Sequence, residues 1–301
     1  MQIAPLISFL SGKGNKNHKR HDSFVALLFP KRKPFETAPV GSRGMKAHEI
    51  IARIYGVPVQ QVLPEIDESR ILPLSNGQYS QVTHDIQISS EVADKNRMKD
   101  HELLHSAQFL LQPLQIRKYL DFAIKQNNGE RMTIFSKGVL AGEVLNRAER
   151  VAFSEPTAYT MAKRPLVDSL RSLTWRPTPL VGLEATLAGG LLLNPPLFFS
   201  GSALIAYSAA LQAARHLAAK RFYNRHGVGG LCLLFSHPPA GIDSLLIPLK
   251  ERHFLKNGLL AKQGGLTAKG EQAILKAVPK EELLRRLEVA RKMRLRARAR
   301  D

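Results

Sequence analysis

From Leu180 to Leu211 the chain carries a single charge, Glu184, and one interruption, Asn194-Pro195-Pro196. Proline has no backbone N–H and fits only the first turn of a helix, so this tripeptide ends one helix and opens the next. The pattern predicts an apolar helical hairpin over residues 179–219. Each arm is about 15 residues, shorter than the roughly 20 needed to cross a hydrocarbon core. Three settings accommodate such a hairpin: the interior of a soluble core, one leaflet of a bilayer, or a short pair of transmembrane spans. Arg215, Lys220 and Arg221 follow it and suit the headgroup region of an anionic membrane. Membrane association through 179–219 is the expectation, with a soluble core as the alternative.

A formal charge of +19 points to an anionic partner. The charge gathers at the ends: residues 1–46 hold nine Lys/Arg against two acids, and residues 280–301 hold nine against four. Residues 1–45 mix Gly, Ser, Lys, His and Pro and read as a basic, disordered tail. The apolar stretch Ile3 to Leu10 is short and precedes its basic residues, which is not the layout of a secretory signal. Cys232 is the one cysteine, in an apolar run, so neither a disulfide within the chain nor a cysteine-based zinc site is available.

The chemistry concentrates in Asp100-His101-Glu102-Leu103-Leu104-His105. Asp94 to Leu111 contains no Gly or Pro and is stopped by Pro113, so it reads as a helix. Positions four apart share one helical face, so His101 and His105 aim at a common point, the spacing one zinc ion requires of two imidazoles. Glu102 projects beside them as the general base and acid. The triplet arises by chance in about one chain in a hundred of this length. A strand over Gln78 to Ser89 precedes the helix, placed to bind extended substrate by strand addition. A catalytic zinc needs a third protein ligand and an open position. Glu143, Glu149 and Glu155 are in range. Glu155 is preferred, because Ala158 and Ala162 recur on one face and allow close packing against the motif helix; Glu149 is the runner-up. Helices are also expected over 47–55, with 57–63 as its continuation, over 114–126 and 137–153, after Ser154 as a cap with Pro156 in the first turn, and from Glu281 onward, where Leu283, Leu287 and Ala290 form a stripe on a basic helix. Gly227 to Gly230 lacks the lysine and spacing of a phosphate loop. His237 reads as a turn histidine and His84 as a residue of the edge strand beside Asp85, rather than as site residues.

These residues resemble a known family. His101-Glu102-Leu103-Leu104-His105, then Glu155 with Ala158 and Ala162, is similar to the glutamate-liganded zinc peptidases. Leu234-Phe235-Ser236-His237-Pro238-Pro239, followed by Ile242 and Leu245, resembles the Ser/Thr-His-Pro-Pro stretch of the HtpX and CAAX-prenyl endopeptidase family. The resemblance implies an integral membrane zinc endopeptidase with a mostly helical fold. Two departures stand out. The family carries Asp where this chain has Tyr159, and it places membrane segments between the histidines and the glutamate, whereas the hairpin here follows Glu155.

The sequence therefore predicts a mainly α fold with a small β-sheet (α+β), zincin-like, with an apolar hairpin. It divides into the tail 1–45, a metallopeptidase domain 46–250 and a basic helical segment 251–301. One Zn2+ sits on His101, His105 and Glu155, and Glu102 works through a zinc-activated water to hydrolyse a protein or peptide substrate. Anionic lipid is a second partner. Two alternatives differ in class: a soluble zinc peptidase, cytoplasmic or exported as an effector or toxin, and a non-enzymatic basic protein binding lipid or nucleic acid. Nucleic acid is the less favoured partner, since no basic stripe is interleaved with aromatics.

Overall fold

The computed structural model describes residues 42–70, 77–113, 153, 155–161, 177–240 and 243–300. The tail 1–41, the helices expected over 114–126 and 137–153, Glu143 and Glu149 lie outside the described residues.

Helix α1 (Arg43–Tyr55) begins where Ser42 Oγ accepts from the Met45 amide, at 3.0 Å, and ends at Gly56 in left-handed conformation. Its start takes in residues that the sequence assigns to the tail, because Ser42 supplies the cap. A one-turn helix α2 (Val59–Val62) follows, separated from α1 by Gly56 rather than continuing it. Ala47, Ile51, Ala52 and Tyr55 recur at helical spacing and are all buried.

The segment expected as one strand is two. β2 (Gly77–Ser80) and β3 (Asp85–Ser89) are joined by a turn over 81–84 and pair antiparallel, Tyr79 opposite Ile86. The reversal follows from Thr83 and His84: Thr83 Oγ1 bonds the Ser80 and Asp85 side chains, and His84 turns the chain at φ 52°. β1 (Glu65–Arg70) pairs parallel with β3, giving the order β1-β3-β2. Ile86 and Ile88 of the middle strand are fully buried, with Ile66, Met98 and Leu103 around them.

Helix α3 (Lys95–Leu111) carries the histidine motif and is capped by Asp94, which accepts from the Arg97 amide at 3.0 Å. Every residue from His101 to Leu111 is buried, so this is the central helix of the fold rather than an amphipathic surface one. α1 docks on it: the Gly44 amide donates to Asp100 Oδ1 at 2.6 Å, and His48 Nε2 meets Ser106 Oγ at 2.9 Å. α4 (Glu155–Met161) packs against α3, with Pro156 in its first turn as expected.

The hairpin is present as α5 (Pro177–Leu191) and α6 (Pro195–Ser236), joined by a short turn in which Asn194 caps α6. The arms touch through glycine. A Cβ on Gly201 would lie 2.5 Å from both Gly182 O and the Thr186 amide nitrogen, so no larger residue fits without parting the helices. α6 runs well past the expected arm, packing on α1, α3 and α4. Its backbone leaves helical geometry at Gly227 (φ 62°, ψ −161°), a conformation open essentially to glycine, so α6 is two helices end to end. The second carries the Leu231-Cys232-Leu233-Leu234-Phe235 run into the core, all buried, with Cys232 a free thiol. Among the described residues α6 is the helix long and apolar enough to cross a membrane.

A 3-10 turn (Ser244–Leu246) leads into α7 (Ile247–Lys256), α8 (Ala268–Ala277) and α9 (Lys280–Arg300). The basic C-terminal segment packs back on the body of the protein. Tyr55 Oη donates to Val278 O at 2.8 Å, Leu283 and Ala290 are buried, and Arg286 donates to the Leu110 and Phe109 carbonyls at 2.8 and 3.3 Å. The architecture is thus mainly helical with one three-stranded mixed sheet, α+β in class.

Candidate metal centre

The motif helix brings His101 and His105 to one face, and α4 delivers Glu155 to the same point. The two Nε2 atoms are 3.1 Å apart. Glu155 Oε2 stands 3.4 Å from His101 Nε2, and Oε1 stands 3.6 Å from His105 Nε2. The rings meet edge-on, at 89°. All three residues are almost buried, and among the described residues they are the group of three able to hold a metal ion.

The geometry tests the fit of a zinc ion directly. Ligand atoms about 2.0–2.1 Å from a tetrahedral zinc stand about 3.3 Å apart along each edge. The two Nε2 atoms, 3.1 Å apart, stand close to that spacing, and the carboxylate lies 3.4 Å from one imidazole through Oε2 and 3.6 Å from the other through Oε1, with one ligand atom from each residue within 4.8 Å of the others. Two imidazoles and a carboxylate are also a donor set that zinc takes at catalytic sites, leaving the fourth position open. Burial by itself raises the pKa of Glu155, but the two imidazoles outweigh it and hold the carboxyl well below its ordinary range, so the carboxylate is the ionised ligand form.

His105 is oriented from behind. Thr157 Oγ1 donates to Phe153 O at 2.8 Å, so its lone pair is the partner for Gln108 Nε2. That fixes the amide with Oε1 toward His105 Nδ1, 2.9 Å away. The ring must then carry its proton on Nδ1, leaving Nε2 bare for a metal. Thr157 sits on the Glu155 helix and Gln108 on the histidine helix, so the same chain of bonds that sets the tautomer also locks α3 to α4. Sequence reading misses both residues. Their signal is position alone: Gln108 is one turn past His105, and Thr157 is two residues past Glu155.

Glu102 follows His101 on α3 and is buried. The remaining histidines have other places. His84 bonds Tyr79 Oη at 2.8 Å and Val62 O at 3.1 Å, and so holds the β2–β3 turn. His237 follows the end of α6, with Nδ1 on Ser236 Oγ at 2.9 Å and its ring against Phe254. His237 is the turn residue expected of it, whereas His84, expected on a strand, stands in the turn over 81–84.

Fold and site together define a mainly helical protein with a helix-borne His-Glu-x-x-His motif closed by a glutamate from a second helix. The chain matches no protein-family model, no curated protein and no solved structure.

Proposed function

We propose that the protein is a zinc-dependent metalloendopeptidase of zincin-like build that works at a membrane, a divergent relative of the HtpX and CAAX-prenyl endopeptidases. The observation that carries the reading is the buried convergence of His101 Nε2, His105 Nε2 and the Glu155 carboxylate, a zinc donor set with one atom from each residue within 4.8 Å of the others. Zinc held there supplies Lewis acidity, lowering the pKa of water toward neutrality and polarising a carbonyl. Glu102 then takes the proton of the attacking water as its oxygen adds to the peptide carbon, and gives it to the amine nitrogen as the C–N bond breaks. β2 is an outer strand packed beside α3, and an extended peptide adds to it by main-chain hydrogen bonds. The exposed apolar hairpin favours a membrane setting over a soluble core: Leu191, Leu193 and Phe199 are 85, 88 and 68% exposed.

Metal content tests the site. About one zinc per chain is expected in the wild type, with loss in both His105→Ala and Glu155→Ala. Glu102→Gln keeps the metal and loses cleavage of a fluorogenic peptide library. A wild-type chain that takes up no zinc when zinc is supplied sinks the proposal, and iron in its place redirects it to oxygen chemistry.

A further inference from the structure

The hairpin's tip is built for a place without water. Leu192 and Leu193 amides donate to Ala188 and Gly190 carbonyls, and the Asn194 amide donates to Gly189 O at 2.8 Å. Pro195 and Pro196 have no amide hydrogen to place. The Leu197 amide is taken by Asn194 Oδ1 at 3.1 Å and the Phe198 amide by Asn194 O. Every amide hydrogen from Leu192 to Phe198 is satisfied inside the turn, which meets the donor half of what a lipid-embedded backbone requires. Around this turn the side chains are apolar and outward: Leu191, Leu192, Leu193 and Phe199 are each at least two-thirds exposed.

Leu193 supplies an independent observation. It closes α5 at φ 49°, in the left-handed position that glycine or asparagine ordinarily takes at a helix end. A branched apolar residue is strained there, and it is almost fully exposed. Strain kept for an outward leucine marks a site where that side chain is used.

We propose that the hairpin is a monotopic anchor that enters one leaflet of a phospholipid bilayer, with Leu191–Leu193 at the midplane and Glu184 and Tyr207 at headgroup level. This rests on the membrane reading above and adds its depth and topology. The depth comes from the arms. Glu184 lies ten residues before Asn194, about 15 Å along a helix, which is the thickness of one leaflet's hydrocarbon. Tyr207, 63% exposed on the other arm, lies thirteen residues beyond Asn194, about 20 Å, at the level where amphipathic rings settle. A full crossing does not fit: α5 has 15 residues, about 22 Å, and it would carry the Glu184 carboxylate to the centre of the hydrocarbon. The arms hold together by glycine contact, which needs no water to drive it, and the Thr186 hydroxyl is satisfied within α5 by donating to Gly182 O at 2.7 Å. With one leaflet entered, both arms return to the same side, and the metal centre faces the water on that side.

The single tryptophan allows a direct test. In the full chain carrying Trp175→Phe, a tryptophan is placed at Leu192 or at Tyr207 and the protein is reconstituted with phosphatidylcholine vesicles containing a minor fraction of phosphatidylglycerol. Lipids brominated near the acyl terminus should quench Leu192→Trp most strongly, and lipids brominated near the headgroup should quench Tyr207→Trp. Quenching of Leu192→Trp by iodide trapped in the vesicle lumen would show a spanning hairpin and overturn the one-leaflet proposal while leaving membrane association standing. Quenching of neither by any brominated lipid would show the tip covered by protein and overturn it as well. Failure of the chain to float with vesicles would remove the membrane reading itself. Leu193→Gly gives a second arm. It relieves the left-handed strain, so thermal stability should hold or rise, while vesicle affinity falls by roughly tenfold or more from the lost leucine. Unchanged affinity would overturn the role of the tip. Zinc content, read in the same samples, should not move in any of these variants.

Discussion

The tautomer of His105 is set by three hydrogen bonds that end on the carbonyl of Phe153. Removing the middle member is therefore expected to act on the metal without touching it. Gln108→Ala should weaken zinc binding by roughly 10- to 100-fold, read by competition with a chromogenic chelator. Gln108→Glu should recover most of the loss, because it restores an acceptor for Nδ1–H and the Thr157 hydroxyl can rotate to donate to it. Equal losses in both variants would mean that Gln108 serves packing alone. At this scale the sequence shows His101, Glu102 and His105 clearly, since a four-residue spacing on a helix dictates a shared face. Glu155 is reached by packing logic: Ala158 is fully buried, as the small-residue argument requires. Gln108 and Thr157 are illegible for the opposite reason. Their role depends on how α3 and α4 meet in space, and no local spacing encodes that.

The motif helix is held at both ends, and its far end depends on an element distant in sequence. Arg286 of α9 is buried and donates to the last carbonyls of α3, while Glu282 accepts from its Nε at 2.7 Å. A guanidinium at a helix C-terminus satisfies orphan carbonyls and opposes the helix dipole. Arg286→Met should destabilise the fold by about 3 kcal/mol, because it removes this cap and leaves Glu282 with less compensation. Urea unfolding of the two proteins measures it, and a loss under about 1 kcal/mol would show that the cap contributes little. The basic helix reads from sequence as a solvated or membrane-surface element because charge dominates its composition. Its Leu283 and Ala290 stripe is legible, but the burial of one arginine among the seven of this helix is not. The strand over 78–89 fails for a related reason. Thr83 and His84 are ordinary strand residues by composition, and only their bonds to Ser80, Asp85 and Val62 reverse the chain.

At the scale of the whole molecule, the link between α1 and α3 makes stability depend on pH. His48 is fully buried between them, with Nδ1 on Gly44 O and Nε2 on Ser106 Oγ, each at 2.9 Å. Burial drives its pKa from 6.5 down to about 4, against a smaller upward effect of the Gly44 carbonyl. In the unfolded chain the ring takes a proton as pH falls through about 6.5, whereas in the fold it stays neutral until about 4. Between these values the unfolded state binds more protons, so stability is full above about 6.5, falls with pH across the window, and levels off below about 4. The interval corresponds to about 3 kcal/mol. Metal binding is itself pH-dependent, so the measurement is the difference in unfolding free energy between the wild type and His48→Gln, both in excess chelator. Asp100, whose carboxyl burial pushes up against the opposing bond from Gly44, works in the opposite sense and is common to both proteins. The glutamine can bond the same two partners and does not titrate, so the wild type should lose about 3 kcal/mol relative to it between pH 6.5 and 4. A flat difference across that window would mean that His48 is already protonated in the fold, and that the α1–α3 seam opens to water beside the metal centre.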